Sequence, residues 1–178
     1  MTPAEYVQLK AFARVDGLYM GVVWIISFGC YIMGLTTPLL GMTGVLIAAA
    51  SPVLAAMRLR RFRDSIRGGT ISYPRAMAYY MLIFFYASLV LAIAQYVYFA
   101  YIDRGFVIGA YNDMLSAPET VEIMKAYGVT AGQMEENLSL LQQTKPIYLV
   151  FNILTFNLTA GIIMSLPVAA IMRRTAIK

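Results

Sequence analysis

Apolar residues run almost unbroken through four stretches of the chain and give way between them to arginine, proline and glycine. The stretches cover about residues 17–35, 39–57, 76–101 and 147–172, and each is long enough to cross a hydrocarbon core, which takes about 20 helical residues. Only Thr36, Thr37 and Pro38 separate the first two, so these helices are expected to turn back on one another as a hairpin. The last two exceed the minimum and are expected to tilt or protrude. The first is too long for the apolar core of a signal peptide, and another apolar run follows at once, so it reads as a retained span. The pattern predicts an all-α integral membrane protein, a four-helix bundle made of two antiparallel hairpins.

The segment between the last two spans, residues 102–146, is too long for a bare connection and is expected to fold. Ser116-Ala-Pro-Glu119 reads as a capping box with Pro118 in the first turn, and Thr130 and Gln133 repeat the pattern. After the second start, Met134, Leu138 and Leu141 recur at helical spacing with Glu135, Glu136 and Gln142 off the line, an amphipathic stripe that must pack on something. The simpler partner is the mouth of the same bundle, which makes this segment a short helical extracytoplasmic cap. The sharper alternative is a docked partner or a covered substrate.

Charge settles which way up the chain is expected to sit. The loop 58–75 holds Arg58, Arg60, Arg61, Arg63, Arg67 and Arg75 against Asp64, and the tail adds Arg173, Arg174 and Lys178. Residues 102–146 are net acidic. Basic loops stay in the cytoplasm, so both termini and the basic loop are expected there, in a bacterial inner membrane. The overall charge of +5 therefore calls for no nucleic acid. Basic residues beside helix ends serve topology first. A second use of the cluster is contact with an anionic lipid headgroup or a protein partner. Aromatic residues at the span ends, Tyr96, Tyr98, Phe99, Tyr101 and Tyr148 on one side and Tyr73, Tyr79 and Tyr80 on the other, read as interfacial belts.

Composition narrows the chemistry. The chain is 60% hydrophobic and 13% charged, with no histidine and a single cysteine, Cys30. No intrachain disulfide is available, no metal or cofactor constellation can be assembled, and the usual imidazole acid–base is missing. Asp103 and Asp113 read as solvated loop acids, and Arg14 with Asp16 as an interfacial ion pair at the mouth of the first helix. An enzyme is not expected. Intramembrane polar groups remain as candidates: Asn152, Thr155 and Thr159 on one face of the fourth span, Asn157 off that face, and Gln95 in the third. Gly17 and Gly21 form a Gly-xxx-Gly pair suited to close helix packing, and interhelical hydrogen bonding is the simpler use of the amides and hydroxyls.

The halves also echo each other. Arg14 precedes Tyr19-Met20 as Arg75 precedes Tyr80-Met81, and Pro52 precedes Arg58 as Pro167 precedes Arg173. A duplicated hairpin would place a site between the repeats, as in some transporters; chance similarity between apolar helices is the alternative.

Several motifs together carry a family resemblance. Arg61-Phe-Arg-Asp64, Gly68-Gly-Thr-Ile-Ser-Tyr73 and Arg75-Ala76 lead into the third span, which ends Tyr98-Phe-Ala-Tyr-Ile-Asp103. Met124-Lys-Ala-Tyr-Gly-Val-Thr130 and Gln133-Met-Glu-Glu136 follow. Over nearly its whole length the chain resembles the four-helix inner-membrane proteins of Bacteroidetes grouped as domain of unknown function 4199. The resemblance carries no catalytic residue. It implies association with a membrane glycosyltransferase of the polyprenyl-phosphate sugar type, and it gives Gly68, Gly69 and Tyr73 a place beside the arginines in a compact basic loop. The expected function is a non-enzymatic membrane subunit or scaffold in envelope biogenesis, in contact with membrane lipids and with a protein partner or a second copy. The alternative is a small oligomeric transporter or lipid-binding protein.

Overall fold

The computed structural model describes residues 2–174 and shows seven helices and two π-helical turns, with no strand among the described residues. Helix α1 spans Pro3–Gly34 and α2 Pro38–Arg61, and a π turn follows at Phe62–Ile66. Helix α3 spans Tyr73–Val97 and winds into a second π turn at Tyr98–Ile102. Three short helices, α4 (Phe106–Ser116), α5 (Pro118–Ala126) and α6 (Ala131–Gln143), precede α7 (Pro146–Met172). Helices α1, α2, α3 and α7 are long and apolar enough to cross a membrane. The chain is thus an all-α multi-pass membrane protein.

The apolar core of α1 starts at Gly17, yet its helix begins fourteen residues earlier. Thr2 and Glu5 close a capping box around Pro3, and Leu9 and Ala13 are fully buried on the extension. At the other end of the molecule the Thr130 box forms as expected, with reciprocal bonds to Gln133 of 3.0 and 3.3 Å. The Ser116 box does not form. Ser116 ends α4 and Ala117 takes the cap position of α5, because the polypeptide is already helical from Phe106 and Pro118 needs an extended residue before it. Helix α4 had no cap signature in the sequence; it is started by Gly105, at φ 86°, and by the Asp103 carboxylate, which accepts from the Gly105 and Val107 amides. Of the Met134–Leu138–Leu141 stripe, the side chains of Met134 and Leu141 lie outside those described, while Leu138 faces a cavity shared with α1 and α7. The three short helices form a cap over that end, tied to α1 by a hydrogen bond between the Tyr31 and Tyr111 hydroxyls.

The spanning helices stand in a row, α2–α1–α3–α7, with α1 packed on α2 and α3, and α3 on α7. The outer helices of the row, α2 and α7, meet only sparingly. Apart from Leu59 and Val150 their buried positions are small, Gly44, Ser51 and Ala55 on α2 and Gly161, Ser165 and Ala169 on α7. Their large side chains, such as Leu46, Phe156 and Ile171, point outward. That surface would be unfavourable in water and is what a bilayer solvates. The main core lies toward the arginine-rich end, around Leu9, Leu59, Phe62, Tyr79, Tyr80 and Ile83. The internal echo is uneven. Ser51 and Ala55 match Ser165 and Ala169 in burial, but Tyr80 is buried while Tyr19 is exposed.

Close approach of α1 to α3 depends on the Gly17–Gly21 pair. A Cβ on Gly17 would stand 2.5 Å from Tyr86 Cβ and 3.0 Å from the Ile83 carbonyl, and one on Gly21 would stand 2.6 Å from Val90 Cβ. Gly17→Ala should therefore destabilise the protein by about 1–3 kcal/mol through overpacking. Gly29→Ala, with nothing within 4 Å of the added carbon, should stay within about 1 kcal/mol of the parent. Thermal unfolding in detergent compares the two, and equal melting temperatures would contradict this packing.

Candidate functional site

Polar chemistry concentrates at two places, the basic end and the junction under the cap. At the basic end, the Asp16 carboxylate on α1 accepts from Arg58 Nε at 2.8 Å and from Arg58 Nη2, and from the Tyr79 hydroxyl at 2.5 Å. The expected Arg14–Asp16 pair is not made. Asp16 turns inward toward α2 and α3, and Arg14, two residues earlier on the helix, is exposed. Arg58 also stands 5.1 Å over the Tyr19 ring, and Phe62 stacks on Tyr79 at 4.3 Å.

The basic loop folds back on this core. Gly68 and Gly69 hold φ values of 62° and 84°, a region that a Cβ disfavours, and the Gly69 amide donates to the Arg63 carbonyl at 2.9 Å. Ile71 is buried and makes a two-bond bridge with Arg174, each bond 3.0 Å. Arg63, itself buried, donates to the Met172 carbonyl at 2.9 Å and forks onto Asp64. It thereby satisfies a carbonyl at the last turn of α7, and its guanidinium holds the Asp64 carboxyl below the usual carboxylate range. Arg67 and Arg75 both donate to Glu5, at 2.9 and 2.8 Å. Their Nε groups are the buried side-chain nitrogens without a partner among the described residues. Tyr73 packs against the core.

The structure thus divides the predicted loop residues in two. Arg58, Arg63, Arg67 and Arg75 are drawn inward and paired with acids. Arg60 and Arg61 face outward, Arg60 with only a 3.6 Å contact to Asp64. Glu5 and Asp16 are the residues that sequence reasoning missed as partners. The signal available was the acid at the amino-terminal cap and the lone acid beside Gly17, but neither spacing reveals a contact with a loop more than forty residues away.

The intramembrane candidates also part company. Asn152, Thr155 and Thr159 lie on the exposed face of α7. The two threonine hydroxyls donate to carbonyls four residues back, at 2.8 and 2.9 Å, so they cross to no other helix. Gln95 is 4% exposed and Asn157 half-buried, and both turn inward. Gln95 lies at the meeting point of two cavities. One, of about 340 Å³, occupies the gap between α2 and α7 in the cap-side half, against Trp24, Val45, Asn157 and Met164. The other, of about 750 Å³, lies under the cap between Tyr31, Phe99, Asp103, Tyr111, Gln142 and Ile153. The gap closes toward the basic end, where the Tyr80 hydroxyl donates to the Pro52 carbonyl at 3.3 Å. On the opposite side Trp24 Nε1 donates to Ser51 Oγ at 2.6 Å and Ser27 Oγ to the Gly44 carbonyl at 2.8 Å, so polar groups on α1 serve the first hairpin. Among the described residues no His, Cys, Asp or Glu group is arranged to hold a metal.

Comparison with known families matches the chain to the family described as "Protein of unknown function (DUF4199)", over residues 16–174. Neither a curated protein nor a solved structure matches the chain. The matched region starts at Asp16 and ends at Arg174, so it takes in the Asp16–Arg58–Tyr79 cluster and the Ile71–Arg174 bridge.

The Thr2 amide, the Arg67 guanidinium and the charge of Arg75 together hold the Glu5 carboxyl at about 2, against an ordinary value of 4.5. A depressed carboxylate stabilises the fold above its ordinary value and loses that contribution as pH falls through its folded one. The melting temperature in detergent should therefore drop as pH is lowered from about 4.5 toward about 2. In Glu5→Gln part of that drop should be missing, because the starting stability is already lower. Parallel pH profiles for parent and variant would show that Glu5 does not anchor the loop.

Proposed function

The chain belongs to the DUF4199 family, and we propose that it is a non-enzymatic membrane subunit that presents a rigid basic plate to a partner protein. On this reading the plate and both termini are cytoplasmic, the cap is extracytoplasmic, and the membrane is the bacterial inner membrane. The segregation of arginine to one end and of net acidic charge to the other supports that orientation.

The observation that carries the reading is the folded state of the loop. A segment needed only for topology has no reason to be ordered. Here four arginines are paired internally and two left-handed glycines close the turn. A bridge to Arg174 pins the far side. What remains outside is a fixed patch made by Arg60, Arg61, Arg173 and Arg174, all exposed. A preorganised patch loses little entropy on docking, which favours a specific protein contact over diffuse attraction. The partner class is an acidic surface on a membrane glycosyltransferase of the polyprenyl-phosphate type, the association that the family resemblance implies.

Arg60→Glu with Arg61→Glu should release a co-purifying glycosyltransferase from the detergent-solubilised native complex while leaving the melting temperature unchanged, since neither side chain supports the core. Retention of the partner by the double variant would contradict the docking role. Absence of any stoichiometric second protein from the parent preparation would contradict the subunit reading itself.

A further inference from the structure

From the two cavities that meet at Gln95, we infer that the cap-side half of the protein is a binding site for one amine-bearing phospholipid, a phosphatidylethanolamine. Its acyl chain enters between α2 and α7 and its headgroup is held under the cap. The site lies at the opposite end from the basic plate and does not depend on it.

The shape fits an amphiphile and little else. The gap between α2 and α7 faces sideways, where the bilayer lies, because the two helices meet sparingly and their flanking side chains Leu46 and Phe156 are exposed. Its walls, Trp24, Val45, Ala48, Ala160 and Met164, are apolar. From Asn157 to Met164 the gap runs about 10 Å along α7, at 1.5 Å per residue, until Tyr80 and Pro52 close it. Space of this form admits a hydrocarbon chain from the neighbouring leaflet. It does not suit a water-soluble solute.

Of the polar side chains lining the gap, Ser27 and Ser51 are held by the Gly44 carbonyl and by Trp24, and the others, Tyr31, Gln95 and Asn157, lie toward the upper end. Gln95 is buried, lines both cavities, and makes no side-chain hydrogen bond to the described residues. An amide so placed requires a partner from the cavity, and an ester carbonyl or a phosphate oxygen accepts from its nitrogen. Above it Tyr111, Gln142 and Thr144 line the larger space. Asp103 is the charged residue among the described residues lining that space. Its carboxylate already accepts from two backbone amides, which fixes its position, and its charge favours an ammonium and opposes an anionic head. The net acidic character of residues 102–146 acts in the same direction. An ethanolamine headgroup supplies an ammonium for Asp103 and a phosphate for Gln95 and the hydroxyls beside it.

The chain contains one tryptophan, Trp24, and it lines the gap. Trp24 is 7% exposed, so lipid in the ordinary annulus reaches it poorly while a chain inside the gap touches it. The test titrates the purified full-length protein in detergent with phospholipids brominated on the acyl chain. It compares phosphatidylethanolamine with phosphatidylglycerol and reads quenching of tryptophan fluorescence. Brominated phosphatidylethanolamine should quench saturably, at a concentration at least about fivefold lower than phosphatidylglycerol, the size of one favourable partly exposed ion pair. Asp103→Asn should erase that preference. Ala160→Phe, or Ala48→Phe from the other wall, should abolish the saturable phase, with circular dichroism showing that the helices are intact. Equal quenching by both lipids would overturn the headgroup assignment. Quenching that rises linearly and survives both phenylalanine variants would reduce the lipid to annulus, and an unquenched Trp24 would show that the gap admits no chain.

Discussion

A single carboxylate on α1 joins three of the four spanning helices. Asp16 is nearly buried, with 9% of its side chain exposed, and an unpaired charge in that position costs several kcal/mol. Arg58 from α2 and the Tyr79 hydroxyl from α3 meet that cost by occupying its lone pairs. Helix order follows. With Asp16 turned toward α2 and α3, the Gly17–Gly21 face comes against Tyr86 and Val90, and α1 takes the central position beside α3. Helix α7 then has only α3 to pack on and is tied at its end through Arg63 and Ile71.

This arrangement makes the two ends of the molecule different in kind. At the basic end charges are neutralised in pairs, the aromatic core is dense, and the loop is closed by glycine geometry. At the cap end α2 and α7 separate, polar residues face space, and helices α4–α6 cover the opening without filling it. Rigidity at one end and room at the other are compatible with one protein that docks a partner through its surface and a lipid through its interior.

The fold was largely legible in the sequence because the bilayer imposes a long apolar run that no other structure requires. The spans, the hairpin turn at Thr36–Pro38 and the Thr130 cap were all readable from local pattern. What local pattern could not show was pairing at a distance. The arginines looked like a free cluster, yet Arg58, Arg67 and Arg75 are claimed by Asp16 and Glu5, which are remote in sequence. The shared face of Asn152, Thr155 and Thr159 on α7 was expected to hydrogen-bond across to another helix, but helical spacing does not say which way the face points. The small residues of α7, Gly161, Ser165 and Ala169, pack inward on α3 instead, and that packing turns Asn152, Thr155 and Thr159 to the exposed side. Gln95, a lone amide in a long apolar run, turns inward to a cavity, as Asn157 does.

The claim on which all of this rests is that Asp16 and Arg58 act as one unit across α1 and α2. A double-mutant cycle with Asp16→Asn, Arg58→Gln and both together, read by thermal unfolding of the purified protein in one detergent, tests it most directly. Each single change should lower stability, and the double should be little worse than the more harmful single, with a coupling of about 1–3 kcal/mol. Losses that simply add would mean that the two side chains do not depend on each other, and the order of the helices would need another cause.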